Sequence, residues 1–175
     1  SEIGAPGTIG MGIVGGPVEH MSDIKPKRLY FVGAVSPARH MLECCTGAKR
    51  MTDAAREQNA GLIILDTTGL TDGYLGRKLK TYKADLVRPD YIIAVQRRKE
   101  VEHLLAPFEK MDSVKLRRLP ASRLAIRKPP ELRAARRRAT SSMTAGCSAS
   151  TATGAAAIST RSCCSPARVP PPSRR

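Results

Sequence analysis

The stretch "GLIILDTTG", residues 61–69, decides the fold. Leu62, Ile63, Ile64 and Leu65 follow one another without polar alternation, and Asp66, Thr67 and Thr68 close the run. A strand with one wet face alternates polar and apolar residues; an unbroken apolar run suits a central parallel strand buried on both faces. Polar residues at its carboxyl end suit a binding rim, because open α/β sheets bind ligands beyond that end.

The sequence on either side repeats the theme. "KRLYFVGAV" (27–35) is rich in aromatic and β-branched residues and reads as a strand. Ser36 then stands as a natural N-cap and Pro37 as a natural first helical residue of "SPARHMLECCTGAKRMTDAAREQ". "YIIAVQ" (91–96) is a further strand, followed by a charged helix, "RKEVEHLLAPFEK", and "SVKLRRLP" (113–120) reads as an edge strand. Alternation at this spacing predicts an α/β fold with a doubly wound, mostly parallel sheet. The strand ends at 33–37, 66–69 and 96–98 would line one rim, with "APGTIGMG" (5–12) as a loop at the same rim.

The 175 residues suffice for one domain with a sizeable core. Thirty Lys and Arg against fifteen Asp and Glu give a formal charge of +15, which points to a polyanionic partner such as RNA, DNA or a nucleotide. Cys44, Cys45, Cys147, Cys163 and Cys164 form neither C-x-x-C spacing nor a disulfide framework, so a reduced, cytoplasmic setting is expected. His20, His40 and His103 are scattered without metal-ligand spacing. No apolar run reaches membrane-spanning length. The chain contains no G-x-x-x-x-G-K-S/T, so "GTIGMG" is not a phosphate-binding loop of that kind.

Composition changes near Arg138. Residues 139–175 hold no aromatic residue, no Asp, no Glu and no Lys. Such a segment has little apolar surface to set against chain entropy, and it reads as a disordered basic tail. A low-complexity linker is one explanation. A second is translation out of frame, beginning close to residues 136–139. Shifting the frame by one base makes the Met143–Thr144 junction encode Asp and Cys163–Cys164 encode Leu, residues ordinary in a helix.

Five blocks in order carry a family resemblance: "SEIGAPGTIGMG" (1–12), "LYFVGAVSPARHML" (29–42), "LIILDTTGLTDGYLGRKLK" (62–80), "RPDYIIAVQRRKEVEHLL" (88–105) and "RKPPELRAARRR" (127–138). Residues 1–138 resemble the polynucleotide 5′-hydroxyl kinase family, which includes archaeal RNA kinases, the kinase subunit of the pre-mRNA cleavage factor and a nucleolar pre-rRNA kinase. The resemblance implies a partial three-layer P-loop NTPase-like sheet. It also implies ATP and Mg²⁺ as cofactors, and RNA or DNA with a free 5′-OH as partner. In that family a Walker B stretch precedes "SEIG" and the phosphate-binding loop lies further upstream, so the chain is expected to be the second half of a kinase domain.

The resemblance also implies site residues. Pro6, Gly7 and Thr8 match the loop where the 5′ end enters; Asp66, Thr67, Thr68 and Gly69 match the T-x-G segment facing substrate. Arg133 and Arg137, one helical turn apart, match the lid pair that would clamp the transferring phosphoryl group as catalytic residues. Arg136 and Arg138 compete for that position, and a solvated basic face is the ordinary fate of such a run. Tyr74 is the aromatic placed to stack a base. Arg77, Lys78, Lys80, Arg97, Arg98 and Lys99 could follow a nucleic-acid backbone or simply be solvated. The expected organisation is residues 1–120 as the C-terminal half of the kinase domain, 121–138 as a lid segment and 139–175 as tail. Two other readings stand beside it: a non-catalytic RNA-binding module of a processing complex, and an inactive truncated product.

Overall fold

A computed structural model describes residues 3–125 and 155–159. The chain is α/β, and strand β1 (Thr8–Val14) is its centre. Ile9 and Met11 point to one face of the sheet and are fully buried there. Gly10 and Gly12 point to the other, for a packing reason. A β-carbon on Gly10 would lie 1.9 Å from the Ile3 carbonyl oxygen, and one on Gly12 would lie 2.3 Å from Ile24 Cγ2. The glycines therefore admit the segment around Ile3 and the 15–27 connection, where Ile3 and Ile24 form a small second core. The stretch 5–12, expected as a loop, is thus a loop only as far as Gly7. The apolar alternation of Ile9, Met11 and Ile13 extends the rest into a strand.

Strand β2 (Arg28–Phe31) pairs antiparallel with β1, Thr8 opposite Phe31 and Met11 opposite Arg28. The chain then turns through Gly33, at φ +83°, into helix α1 (Met41–Glu57). Ser36 Oγ accepts a hydrogen bond from the Ala38 N–H at 3.5 Å, and Pro37–Arg39 form a short 3-10 turn before the helix. Helix α1 turns Cys44, Cys45, Ala48, Met51, Ala54 and Ala55 to the sheet. The small Cys and Ala side chains among them let the helix pack close to β1 and β2.

Strand β3 (Ile63–Asp66) and helix α2 (Gly73–Val87) follow. Leu79 of α2 joins Ile9, Met11, Val32 and the inner face of α1 in the main core, with Ile63 and Leu65 packed against it. Strand β4 (Tyr91–Gln96) and β5 (Lys115–Pro120) run parallel, in register from Tyr91–Lys115 to Gln96–Pro120. Between them lies helix α3 (Glu102–Leu105), continued by a 3-10 turn over Ala106–Phe108. The charged helix expected over 98–110 is shorter for local reasons. Lys99 sits at φ +58°, and Glu100 turns its carboxylate back to the N–H groups of Arg97 and Arg98 at 2.9 and 2.6 Å.

Three expectations are corrected. The described strands form two sheets rather than one. The first, in the order β2-β1-β6-β3, is mixed, with β1 antiparallel to both neighbours, and the second is the β4-β5 pair. The 15–27 connection reverses the chain without a crossover helix, so β1 and β2 meet antiparallel. Next, β3 is not buried on both faces: Ile64 is 56% exposed. Helices α1 and α2 pack on the face carrying Ile9, Tyr30, Ile63 and Leu65. Leu29, Phe31 and Ile64 on the opposite face remain exposed. Last, residues 155–159 of the tail expected to be disordered form strand β6 (Ala155–Ser159). It lies between β1 and β3, antiparallel to the first and parallel to the second. Two facing strand edges offer N–H and C=O groups, and the backbone of residues 155–159, free of proline, pairs with both.

Candidate functional site

Strand register brings two of the quoted blocks to one edge of the first sheet. Leu29, Gly10, Ser159 and Asp66 lie in one row across β2, β1, β6 and β3. The start of β1 and the ends of β2 and β3 therefore share an edge. Pro6, Gly7 and Thr8 stand there, and so do Asp66, Thr67, Thr68 and Gly69, about two strand spacings or ~10 Å away across the sheet.

The first block is held by backbone bonds. The Gly7 carbonyl accepts from the N–H of Val32 at 2.9 Å and of Gly33 at 3.2 Å. Gly7 itself sits at φ +74°, a conformation that favours glycine. Thr8 Oγ1 donates to the Ala5 carbonyl at 2.6 Å. The loop is thus tied to the turn that leads into Ser36.

The second block is held from helix α2. Lys80 Nζ donates to Thr67 Oγ1 at 2.7 Å and to the Thr68 carbonyl at 2.5 Å. Thr68 is 2% exposed, and its Oγ1 finds no hydrogen-bond partner among the described residues. Thr67, by contrast, is half-buried. One turn on, Lys83 is 3% exposed, with Asp66, Cys44 and Cys45 as its charged or polar neighbours. Burial pushes the Lys83 ammonium below its ordinary pKa, and the Cys44, Cys45 and Asp66 side chains partly oppose that. Burial likewise raises the Cys45 thiol, with Lys83 opposing.

Tyr74 is 71% exposed on the outer face of α2. Lys78 Nζ lies 5.4 Å from its ring centroid and 5.4 Å from that of Tyr82, so Tyr74, Lys78 and Tyr82 form a ladder one helical turn apart. The Tyr82 rung was not singled out from the sequence, although i, i+4, i+8 spacing was there to be read. Sequence alone leaves Lys80 between following a nucleic-acid backbone and solvation, whereas it turns to the loop before α2. Lys83 shares the face of Gly76, Leu79 and Val87, and that periodicity was the available signal for its burial.

At the ends of β4 and β5, Gln96, Arg97, Pro120, Ala121, Ser122 and Arg123 line a shallow hollow. The Arg97 guanidinium donates to the Ala125 carbonyl. Arg133 and Arg137 lie outside the described residues, as do Arg136 and Arg138. Among the described residues no group of three or more His, Cys, Asp or Glu could hold a metal ion, and no helix is long and apolar enough to cross a membrane.

Residues 1–143 match the family model described as mRNA cleavage and polyadenylation factor CLP1 P-loop. The chain belongs to the polynucleotide 5′-hydroxyl kinase family. Among its relatives is a polyribonucleotide 5′-hydroxyl-kinase of Methanocaldococcus jannaschii, 40% identical over 104 residues, which are 59% of this chain and 28% of the relative. Another, of Thermococcus kodakarensis, is 41% identical over 104 residues, 59% of this chain and 29% of the relative. A third, of Pyrococcus furiosus, is 31% identical over the same length and shares. The chain spans less than a third of the length of these relatives. No solved structure matches it. The family match takes in every block from which site residues were read, including 127–138, and ends five residues past Arg138.

Proposed function

We propose that this chain supplies the substrate side of an ATP-dependent polynucleotide 5′-hydroxyl kinase. The whole enzyme would transfer the ATP γ-phosphate, with Mg²⁺, to the 5′-OH of RNA or DNA. The observation that carries this reading is the shared sheet edge. Two loops that match substrate-facing segments of the family, 6–8 and 66–69, stand about 10 Å apart on it. Phosphoryl transfer asks for positioning and charge neutralisation more than for covalent chemistry, and such an edge can position a 5′ end.

The same proposal assigns residues 1–120 to the C-terminal half of the kinase domain and 121–138 to a lid bearing Arg133 and Arg137. The described residues do not fit ATP or Mg²⁺ by themselves. No metal-ligand cluster is found among them, and the 175 residues contain no G-x-x-x-x-G-K-S/T. The 175-residue chain alone is expected to transfer no phosphate. Incubation with γ-labelled ATP and a 5′-OH oligonucleotide tests this: labelled oligonucleotide formed by the pure chain would overturn it. A longer protein that joins this chain to the family's phosphate-binding loop should label the same oligonucleotide, and a silent joined protein would overturn the kinase reading.

The exposed face of α2 favours a second reading, a non-catalytic RNA-binding module. The Tyr74–Lys78–Tyr82 ladder suits stacking on a single strand. RNA binding by a joined protein that neither binds nor turns over ATP would select that reading.

A further inference from the structure

We infer that Lys80 is a positioning residue that holds the Thr67 hydroxyl as a hydrogen-bond donor toward the 5′ oxygen of the polynucleotide. The inference rests on the reading of 66–69 as part of the substrate edge and adds a residue and a proton direction to it.

A lysine ammonium has three donors and no acceptor, so both of its oxygen partners here accept. The partners are Thr67 Oγ1 at 2.7 Å and the Thr68 carbonyl at 2.5 Å. A threonine hydroxyl has one proton and two lone pairs. With one lone pair turned to Lys80, the proton is directed away from it. The proton is thereby left to donate elsewhere, while the second lone pair stays open. Because the two accepting atoms belong to successive residues, one ammonium sets both the side chain of Thr67 and the peptide plane after Thr68.

Geometry gives the contact its leverage. Lys80 projects from the middle of α2, which is anchored in the core by Leu79 at 0% exposure. The 66–69 loop leaves an edge strand, and two of its successive residues accept from this one ammonium. A positive charge behind the hydroxyl also polarises its O–H bond and favours approach of an electron-rich oxygen.

The test uses the 175-residue chain and a 3′-labelled single-stranded RNA, with a 5′-OH or a 5′-phosphate, at one fixed salt concentration. Fluorescence anisotropy gives both affinities for the unaltered chain, Lys80→Met, Lys80→Arg, Thr67→Val, Thr67→Ser and the Met/Val pair. The unaltered chain should prefer the 5′-OH strand. Lys80→Met and Thr67→Val should each weaken that strand's binding about tenfold, and the double substitution should be no weaker than Thr67→Val alone. Thr67→Ser should keep the preference, and Lys80→Arg should keep most of it. Additive losses, or equal losses for 5′-OH and 5′-phosphate strands, would show Lys80 acting as a bare charge and overturn the inference while leaving the substrate edge intact. An unaltered chain blind to its 5′ end would overturn both. Circular dichroism reports whether Lys80→Met folds. If it does not, Lys80→Gln takes its place in the cycle and is read in the same way.

Discussion

Gly47 of α1 lies against the ring of Tyr30 in β2: a β-carbon on Gly47 would be 2.5 Å from Tyr30 Cδ1 and 2.7 Å from Ile9 Cδ1. The helix reaches the sheet only because that position has no side chain. Alanine there gains helix propensity worth about 1 kcal/mol but forces an aromatic ring to move, at about 1–3 kcal/mol. Gly47→Ala should therefore lower stability by about 1 kcal/mol, and Gly47→Leu should lower it far more. Urea unfolding checks this; a Gly47→Ala chain more stable than the parent would contradict the packing described.

Lys83 makes stability depend on pH. Its folded pKa lies below the ordinary 10.5 because burial disfavours the charged form. Between that lowered value and 10.5 the unfolded chain binds more protons, so stability rises with pH across the window. Lys83→Met should flatten the rise. Urea midpoints measured from pH 7 to about pH 10 decide it, and an unchanged slope in Lys83→Met would remove Lys83 as the source.

Burial pushes the Cys45 thiol above its ordinary pKa, and both Cys44 and Cys45 are buried. The thiolate is the reactive form, so the native peptide carrying them should alkylate slowly at pH 8 and rapidly in denaturant. Lys83 lowers the Cys45 pKa. Lys83→Met should slow native alkylation further. Mass spectrometry after a timed iodoacetamide pulse gives the comparison, and equal native and denatured rates would count against burial.

Ala157 pairs with Gly12 on one side and Ile64 on the other. Proline at 157 cannot donate to the ladder and does not fit a central strand. Ala157→Pro should accelerate hydrogen exchange at the amides of β1 and β3 while sparing β4 and β5. Unchanged exchange in β1 and β3 would mean that β6 adds nothing to the sheet.

For the lid, the proposal is tested in a joined protein with kinase activity. Replacing Arg133 and Arg137 together by Ala should lower kcat more than it weakens RNA binding, since such arginines meet charge that develops in the transition state. An unchanged kcat with a large loss of RNA affinity would make them docking residues.

Local sequence was enough for the elements that depend on local physics. Ser36 and Pro37 mark the 3-10 turn that leads into α1, which itself begins four residues later at Met41; apolar runs mark β2, β3 and β4, and the order of five blocks carries the family. The rim expected for 33–37, 66–69 and 96–98 is only partly formed: 6–8 and 66–69 share an end of the first sheet because β1 starts where β2 and β3 finish, whereas 96–98 follows β4 of the second sheet. What local pattern could not settle was pairing between distant segments. The 15–27 reversal made β1 antiparallel to β2. Ala155–Ser159 entered between β1 and β3, although its composition offers little apolar surface. Composition measures side-chain burial; it is silent on backbone groups that need partners. The same limit applies to the basic residues of α2. Lys78, Lys80 and Lys83 look alike in sequence, yet one lies between two tyrosine rings, one ties down the 66–69 loop and one is buried beside Asp66. Their roles were decided by which face of the helix met the core, and only the tertiary structure holds that rotation.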